Sequence, residues 1–187
     1  MKFSRLLLFA LVLPLAALAA DRTLKVDKTR SFVDVDGKST LRDFSGRLDT
    51  YDARLMVDDA GKIKGATLAF KFTDLKTGDK GRDADMIKWL GGGTPEGRFE
   101  LGILALAPDG QGQVTGKLTF HGQTQLVEFP VNVLRADDTY TITGETVVNY
   151  TNWGLKIIRK LGLAKVDPEV KIRFKFIATP PEPLPGN

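Results

Sequence analysis

Acid–base or nucleophilic chemistry at neutral pH would have to start from His121, because the 187-residue sequence holds one histidine and no cysteine. A Ser-His-Asp arrangement built on it would need a nucleophile motif such as G-x-S-x-G, and none lies near. His121 stands instead beside Gly122, in a break between two alternating segments, and reads as a surface turn residue. One His and no Cys also exclude a Cys-rich zinc or haem site, so no metal and no catalytic residue is assigned. The run Gly91-Gly92-Gly93 lacks the Lys-Ser/Thr pair of a phosphate-binding loop and follows a helical pattern, which makes it a flexible connection. Asn149-Tyr150-Thr151 matches a glycosylation sequon and reads as incidental. Arg82, Asp83 and Asp85 form a charged cluster. It fits the capped first turn of a helix with a nearby ion pair; a polar contact for a ligand head group is the alternative.

The elements that would position these residues are strands. Val114, Leu118 and Phe120 share one parity against Lys117, Thr119 and His121. After a break at Gly122-Gln123-Thr124 the alternation resumes with Val127, Phe129, Val131 and Val133 against Glu128 and Asn132. Successive strand side chains point to opposite faces, so this is an antiparallel hairpin with one apolar and one wet face. Similar segments run over 31–35, 63–72, 99–106, 140–150 and 170–176, separated by turn clusters such as Asp58-Asp59-Ala60-Gly61-Lys62 and Pro108-Asp109-Gly110. Many short strands at this spacing predict a β-sandwich or an up-and-down barrel. An outer-membrane barrel would turn Lys117, Glu128, Lys171, Arg173 and Lys175 into a narrow lumen, so the expected form has its apolar face inward. Two stretches interrupt the pattern: Asp79 to Leu90, with Met86, Ile87 and Leu90 at helical spacing, and Leu155 to Leu163, a short basic amphipathic segment.

Lys2 and Arg5 precede an apolar run from Leu6 to Leu18 that ends in Ala17-Leu18-Ala19, the pattern of a secretory signal peptide cut after Ala19. The run is shorter than the roughly 20 residues of a spanning helix. With Lys2 and Arg5 removed, the 27 basic residues become 25 against 23 acidic ones. That near balance, with both signs scattered, argues against nucleic acid as a partner. Without cysteines an exported fold rests on packing and backbone pairing alone. The expected organisation is a signal peptide over 1–19, one β-barrel domain over 20–178 and a proline-rich tail over 179–187.

Several motifs resemble the YceI-like family of lipocalin-shaped periplasmic proteins associated with polyisoprenoid binding. The specific matches are Leu75-Lys76-Thr77, Arg82-Asp83-Ala84-Asp85-Met86, Pro95, Phe99 and the stretch VTGKLTFHGQTQLVEFPV from Val114. Weaker ones are Val26-Asp27, Ser31-Phe32-Val33, Phe44-Ser45-Gly46 and Trp153-Gly154-Leu155. Family members often carry a His where this chain has Arg30, and an Arg-Ser-Asp-Phe-Gly stretch where it has Tyr150-Thr151-Asn152-Trp153-Gly154.

The resemblance implies an all-β fold, an antiparallel up-and-down lipocalin-like barrel of about eight strands with one or two short helical insertions. It implies that Val33, Val35, Leu68, Phe70, Phe72, Leu118, Phe120, Phe129, Val131, Tyr140, Ile142 and Phe174 line a cavity rather than fill a core. Arg82, Asp83, Met86, Trp89, Tyr150 and Trp153 would stand at the mouth as head-group contacts. The implied function is sequestration or carriage of an amphiphilic polyisoprenoid, an isoprenoid quinone or polyprenyl lipid, in the periplasm. No cofactor beyond that bound lipid or quinone is implied, and transient contact with a membrane surface would fit. The oligomeric state stays open, a dimer included. Two alternatives stand beside this reading: an interaction module with a fully packed core, and an enzyme acting on an isoprenoid lipid.

Overall fold

The hairpin that the alternation predicts is the central feature of the structure. In the computed structural model, which describes residues 21–160 and 164–181, it pairs Gln111–Phe120 (β8) with Gln123–Ala136 (β9), in register from Phe120↔Gln123 to Gln111↔Asn132. The loop is His121-Gly122, one residue earlier than the break predicted at Gly122-Gln123-Thr124. Both loop residues have positive φ, 49° and 70°, as a two-residue primed turn requires to match the strand twist. Gln123 and Thr124 therefore belong to the ladder.

The remaining strands are Arg22–Val26 (β1), Phe32–Ser39 (β2), Phe44–Leu48 (β3), Tyr51–Val57 (β4), Ile63–Lys71 (β5), Leu75–Lys76 (β6), Glu96–Leu106 (β7), Thr139–Asn149 (β10), Arg159–Lys160 (β11) and Ala164–Thr179 (β12). Eight of them, in the order β1-β4-β5-β7-β8-β9-β10-β12, form an antiparallel barrel that closes where β12 pairs back onto β1. Closure removes the free edges that an open sheet would expose. The extra strands β2, β3 and β6 extend the wall at one end, because β12 pairs with β1 through Ala178 and Thr179 and with β2 through its earlier residues. Pro168 lies where the β12–β2 register shifts, between Val166 and Val170, as expected of a residue with no N–H to donate.

The face assignment follows the side chains. Glu128, Lys117 and Lys171 are exposed, while Phe129, Val131 and Val133 are buried. An ionic ladder crosses the outer face of β3, β2 and β12. Arg47 donates to Asp34 through Nε and Nη2 (2.6 and 2.8 Å), and Arg173 Nε donates to Asp36 (2.7 Å), which also accepts from Ser45 Oγ. The Arg173 and Ser45 hydrogen bonds hold the Asp36 carboxyl below the usual carboxylate range.

The first interruption is a helix, Lys80–Trp89 (α1). The Asp79 side chain caps it by accepting from Arg82 N, and it ends in three glycines of positive φ at Gly91, Gly92 and Gly93. The second departs from the expected amphipathic insertion. After a 3₁₀ turn over Tyr150–Trp153, closed by Gly154 at φ 76°, the chain runs extended and Arg159–Lys160 pairs with β12. The adjacent β-branched Ile157 and Ile158 favour that extended path, and Val166 N donates to Ile158 O at 3.0 Å. Residues 161–163 of this stretch, the signal-peptide pattern over 1–19 and the end of the proline-rich tail lie outside the described residues.

Candidate functional site

Two chains of aromatic rings divide the barrel interior. Across one end Phe99, Phe129, Phe174, Phe176 and Tyr51 follow one another, with centroids 5.6 to 6.0 Å apart. With Leu24, Val57, Val131 and Tyr140 they form a packed floor. Up one wall Phe70, Phe72, Phe120 and Trp153 run toward the other end, with Phe120 stacked on Trp153 at 4.5 Å. Above the floor, between this wall and the one built by Val33, Leu48 and Leu75, lies a cavity of about 450 Å³. That volume falls within the roughly 300–1,000 Å³ typical of small-molecule pockets.

Seven of the residues expected to line a cavity do so: Val33, Val35, Leu68, Phe70, Phe72, Leu118 and Phe120. The other five, Phe129, Val131, Tyr140, Ile142 and Phe174, belong to the floor instead. Parity places a side chain inside the barrel without fixing its depth, and these five lie at the end filled by ring packing. Tyr140 is tied down there by its hydroxyl, which donates to Gly61 O at 2.7 Å. The cavity wall also includes Phe44, Leu75, Leu90, Val148, Leu155, Val170 and Ile172, which motif reading did not single out as wall. Val148 and Ile172 carried the apolar parity that could have identified them.

Cross-strand glycines set the width of the cavity. Phe70 lies over Gly97 of the neighbouring strand, and Phe44 over Gly37. A Cβ added at Gly97 would stand 2.7 and 2.8 Å from two Phe70 ring carbons, and one at Gly37 would stand 2.8 and 2.9 Å from two of Phe44. Each ring lies back against bare backbone, and the space in front of it stays open.

The polar side chains of the lining gather at the open end: Ser39, Arg42, Thr77, Asp79, Arg82 and Asp85. Arg82 rests over the Phe44 ring, 4.8 Å from its centroid, and its nearest carboxylate is Asp79 at 3.8 Å. Its guanidinium is thereby held at the mouth without a short ion pair to Asp79. Asp83 faces away from the cavity lining and accepts from Thr77 N and Oγ1 (3.1 and 2.6 Å), which fastens the start of α1 to β6. Met86 lines the cavity and packs against both walls. Trp89 donates through Nε1 to Lys156 O (2.8 Å) and packs edge-on to Tyr150. The Tyr150 hydroxyl donates to Val166 O and accepts from Ile158 N. Burial pushes its pKa up, so it stays neutral. Trp89 and Tyr150 thus pin residues 156–158 beside the opening. Trp153 is 2% exposed and lies behind Phe120, its indole N–H donating to Leu118 O at 3.1 Å, so it supports the wall from outside the cavity.

His121 occupies its turn, apart from the cavity. Asn149 of the sequon accepts from Thr151 N and Oγ1 and so caps the 3₁₀ turn. Among the described residues no group of three or more His, Cys, Asp or Glu is placed to hold a metal ion.

Residues 24–178 match the family model of the YceI-like domain. Among solved structures the chain resembles BcnA of Burkholderia cenocepacia, with 24% identity, a TM-score of 0.69 and coverage of 83% of this chain and 100% of that one. It also resembles a polyisoprenoid binding domain from Saccharophagus degradans implicated in plant cell wall breakdown (16% identity, TM-score 0.64, 85% and 98% covered). The YCEI protein of Campylobacter jejuni aligns over 73% of this chain and 85% of its own, at 16% identity and a TM-score of 0.59. At these identities the likeness is one of fold. No curated protein matches the sequence.

Proposed function

Because the chain belongs to the YceI-like domain family, we propose that it is a lipid-binding protein that holds the isoprenoid tail of an amphiphile in the cavity. Its head group sits among Arg42, Arg82 and Tyr150 at the mouth. The observation that carries this reading is the distribution of polarity: an apolar shaft of about 450 Å³ closed by an aromatic floor, with charged lining side chains only at its opening. Burial of apolar surface supplies about 0.8 kcal/mol per CH₂, so each five-carbon isoprenoid unit contributes about 4 kcal/mol before the cost of ordering the tail. Two or three units would give useful affinity with few polar contacts.

The protein works by burial rather than by chemistry in this proposal. Its support is that the one imidazole stands outside the cavity and that the mouth carboxylates are engaged, Asp79 in capping α1 and Asp85 with a partner of its own. The proposed ligand is an isoprenoid quinone or polyprenyl lipid, and the proposed compartment is the periplasm, supported by the export pattern from Lys2 to Ala19.

The test is a series of isoprenoid quinones of increasing tail length, titrated against the protein while the fluorescence of its two tryptophans, Trp89 and Trp153, is followed. Affinity should rise with each added unit until the shaft is full and then level off. Equal affinity for a tailless quinone and its long-tailed homologues would overturn the reading.

A further inference from the structure

We propose that the rim of the cavity is a docking surface for an anionic phospholipid bilayer, with Leu41 as an apolar pin inside a cationic collar. The purpose of docking rests on the lipid-binding reading, whereas the surface itself is argued from the rim.

The turn between β2 and β3 and the start of β12 run side by side at the opening. Thr40 N donates to Lys165 O at 3.0 Å and Lys165 N donates to Thr40 Oγ1 at 3.1 Å. Leu41, on that turn, lines the mouth yet is 72% exposed, the highest value among the exposed large hydrophobic residues described. A leucine held outward at the lip of an apolar shaft extends the shaft's surface toward whatever lies outside. Around it Lys38, Arg42, Arg159 and Lys165 are all exposed, and none has an ion pair among the described residues. Of the carboxylates nearest in sequence, Asp43 turns back to accept from Ser39 N and Asp167 accepts from Glu169 N, so that four exposed cations face the two exposed carboxylates Asp167 and Glu169 on β12. On the α1 side of the mouth the acidic groups are engaged: Asp79 with Arg82, Asp83 with Thr77, and Asp85 with a partner of its own.

The far end of the barrel has the opposite character. Its turns, at 58–62, 107–110 and 137–138, carry Asp58, Asp59, Asp109, Asp137 and Asp138 against Lys62, with Arg135 beside them reaching Asp138. A basic lip and an acidic base orient the barrel mouth-first toward a negative surface. Exposed cations draw such a rim to anionic head groups, and an apolar side chain among them reaches the acyl boundary. A tail that passes from bilayer to shaft across this contact need not cross water. This last point selects a membrane over a soluble acidic protein as the occupant.

The sequence has no cysteine, so Leu41→Cys gives a single site for an environment-sensitive fluorophore, and Asp109→Cys gives the control at the far end. On vesicles of phosphatidylcholine mixed with phosphatidylglycerol, the label at 41 should shift to an apolar signal and the label at 109 should not. Vesicles of phosphatidylcholine alone should give neither shift. Lys38→Glu with Lys165→Glu should lower binding to the mixed vesicles by at least about tenfold, while quinone uptake from detergent micelles stays unchanged. Equal binding to both kinds of vesicle, a shift at 109 but not at 41, or binding that survives the double charge reversal would overturn the proposal. Vesicle docking without quinone uptake from micelles would uphold the docking surface and overturn the lipid-binding reading instead.

Discussion

Gly97→Ala tests whether the cavity is kept open by rings lying on glycines. Gly97 has no positive φ, so alanine suits its backbone, and the change acts through space alone. The new methyl would stand 2.7 and 2.8 Å from Phe70 ring carbons, against roughly 3.5–4.0 Å for an ordinary carbon contact. The ring's Cζ would stand closer still, so the ring must move by about 1.5 Å. Phe72 packs edge-on to it with centroids 5.2 Å apart, which leaves the open shaft as the free direction. Loss of space for one or two methylenes of ligand at about 0.8 kcal/mol each weakens binding about four- to fifteenfold. Stability should change little, because a cost of about 1–3 kcal/mol for crowding is reduced by ring movement and by the smaller chain entropy of alanine. Titration with a long-tailed quinone reads the affinity, and thermal unfolding reads the stability. Phe70→Leu in the same chain should restore most of the lost affinity, a coupling that a double-mutant cycle isolates. Unchanged affinity in Gly97→Ala, or a loss that Phe70→Leu does not relieve, would refute the reasoning.

Phe129→Ala removes a ring from the middle of the aromatic floor and should destabilise the protein by about 3–5 kcal/mol in a urea titration. Trp153→Phe keeps a ring to stack on Phe120 but leaves the Leu118 carbonyl without its indole donor, and should cost about 1–3 kcal/mol by the same measurement. Asp36 has its carboxyl pKa lowered in the folded state, so its contribution is fully present at neutral pH and is lost as pH falls below about 4 toward the folded value. Asp36→Asn should therefore lower the melting temperature at pH 7 and narrow the difference from wild type in acid; a constant difference across that range would count against the ion pair. Hydrogen exchange should be faster in α1 and residues 154–158 than in the β8–β9 hairpin, whose backbone ladder is continuous.

The β8–β9 hairpin was legible because Val114 to Val133 alternates with few exceptions and one glycine marks its loop. The loop itself was misplaced by one residue, since only the strand twist shows that His121 must take a positive φ. β1, β3 and β4 were harder to see: Phe44–Leu48 is five residues long and contains Gly46, and Tyr51–Val57 follows after two residues with no strong turn signal. The helical spacing of Met86, Ile87 and Leu90 located α1 correctly. The same kind of spacing at 155–161 failed, because the backbone of 158–160 is claimed by β12 through pairings between residues distant from any local pattern. For the candidate site, alternation identified inward residues but gave no depth. Phe120 and Phe129 share a parity on facing strands of one hairpin, yet one lines the shaft and the other seals it. The rim residues Leu41 and Arg42 carried no periodic signal, since a turn has none.

Native mass spectrometry of the wild-type protein, purified without detergent from a host that makes isoprenoid quinones, tests the cavity claim most directly. A lipid-filled cavity gives a population heavier than the polypeptide by the mass of one isoprenoid lipid, which returns to the bare polypeptide mass after organic extraction and refills when quinone is added. Protein that shows only the bare mass, yields no lipid to the organic phase and does not take up added quinone would contradict it.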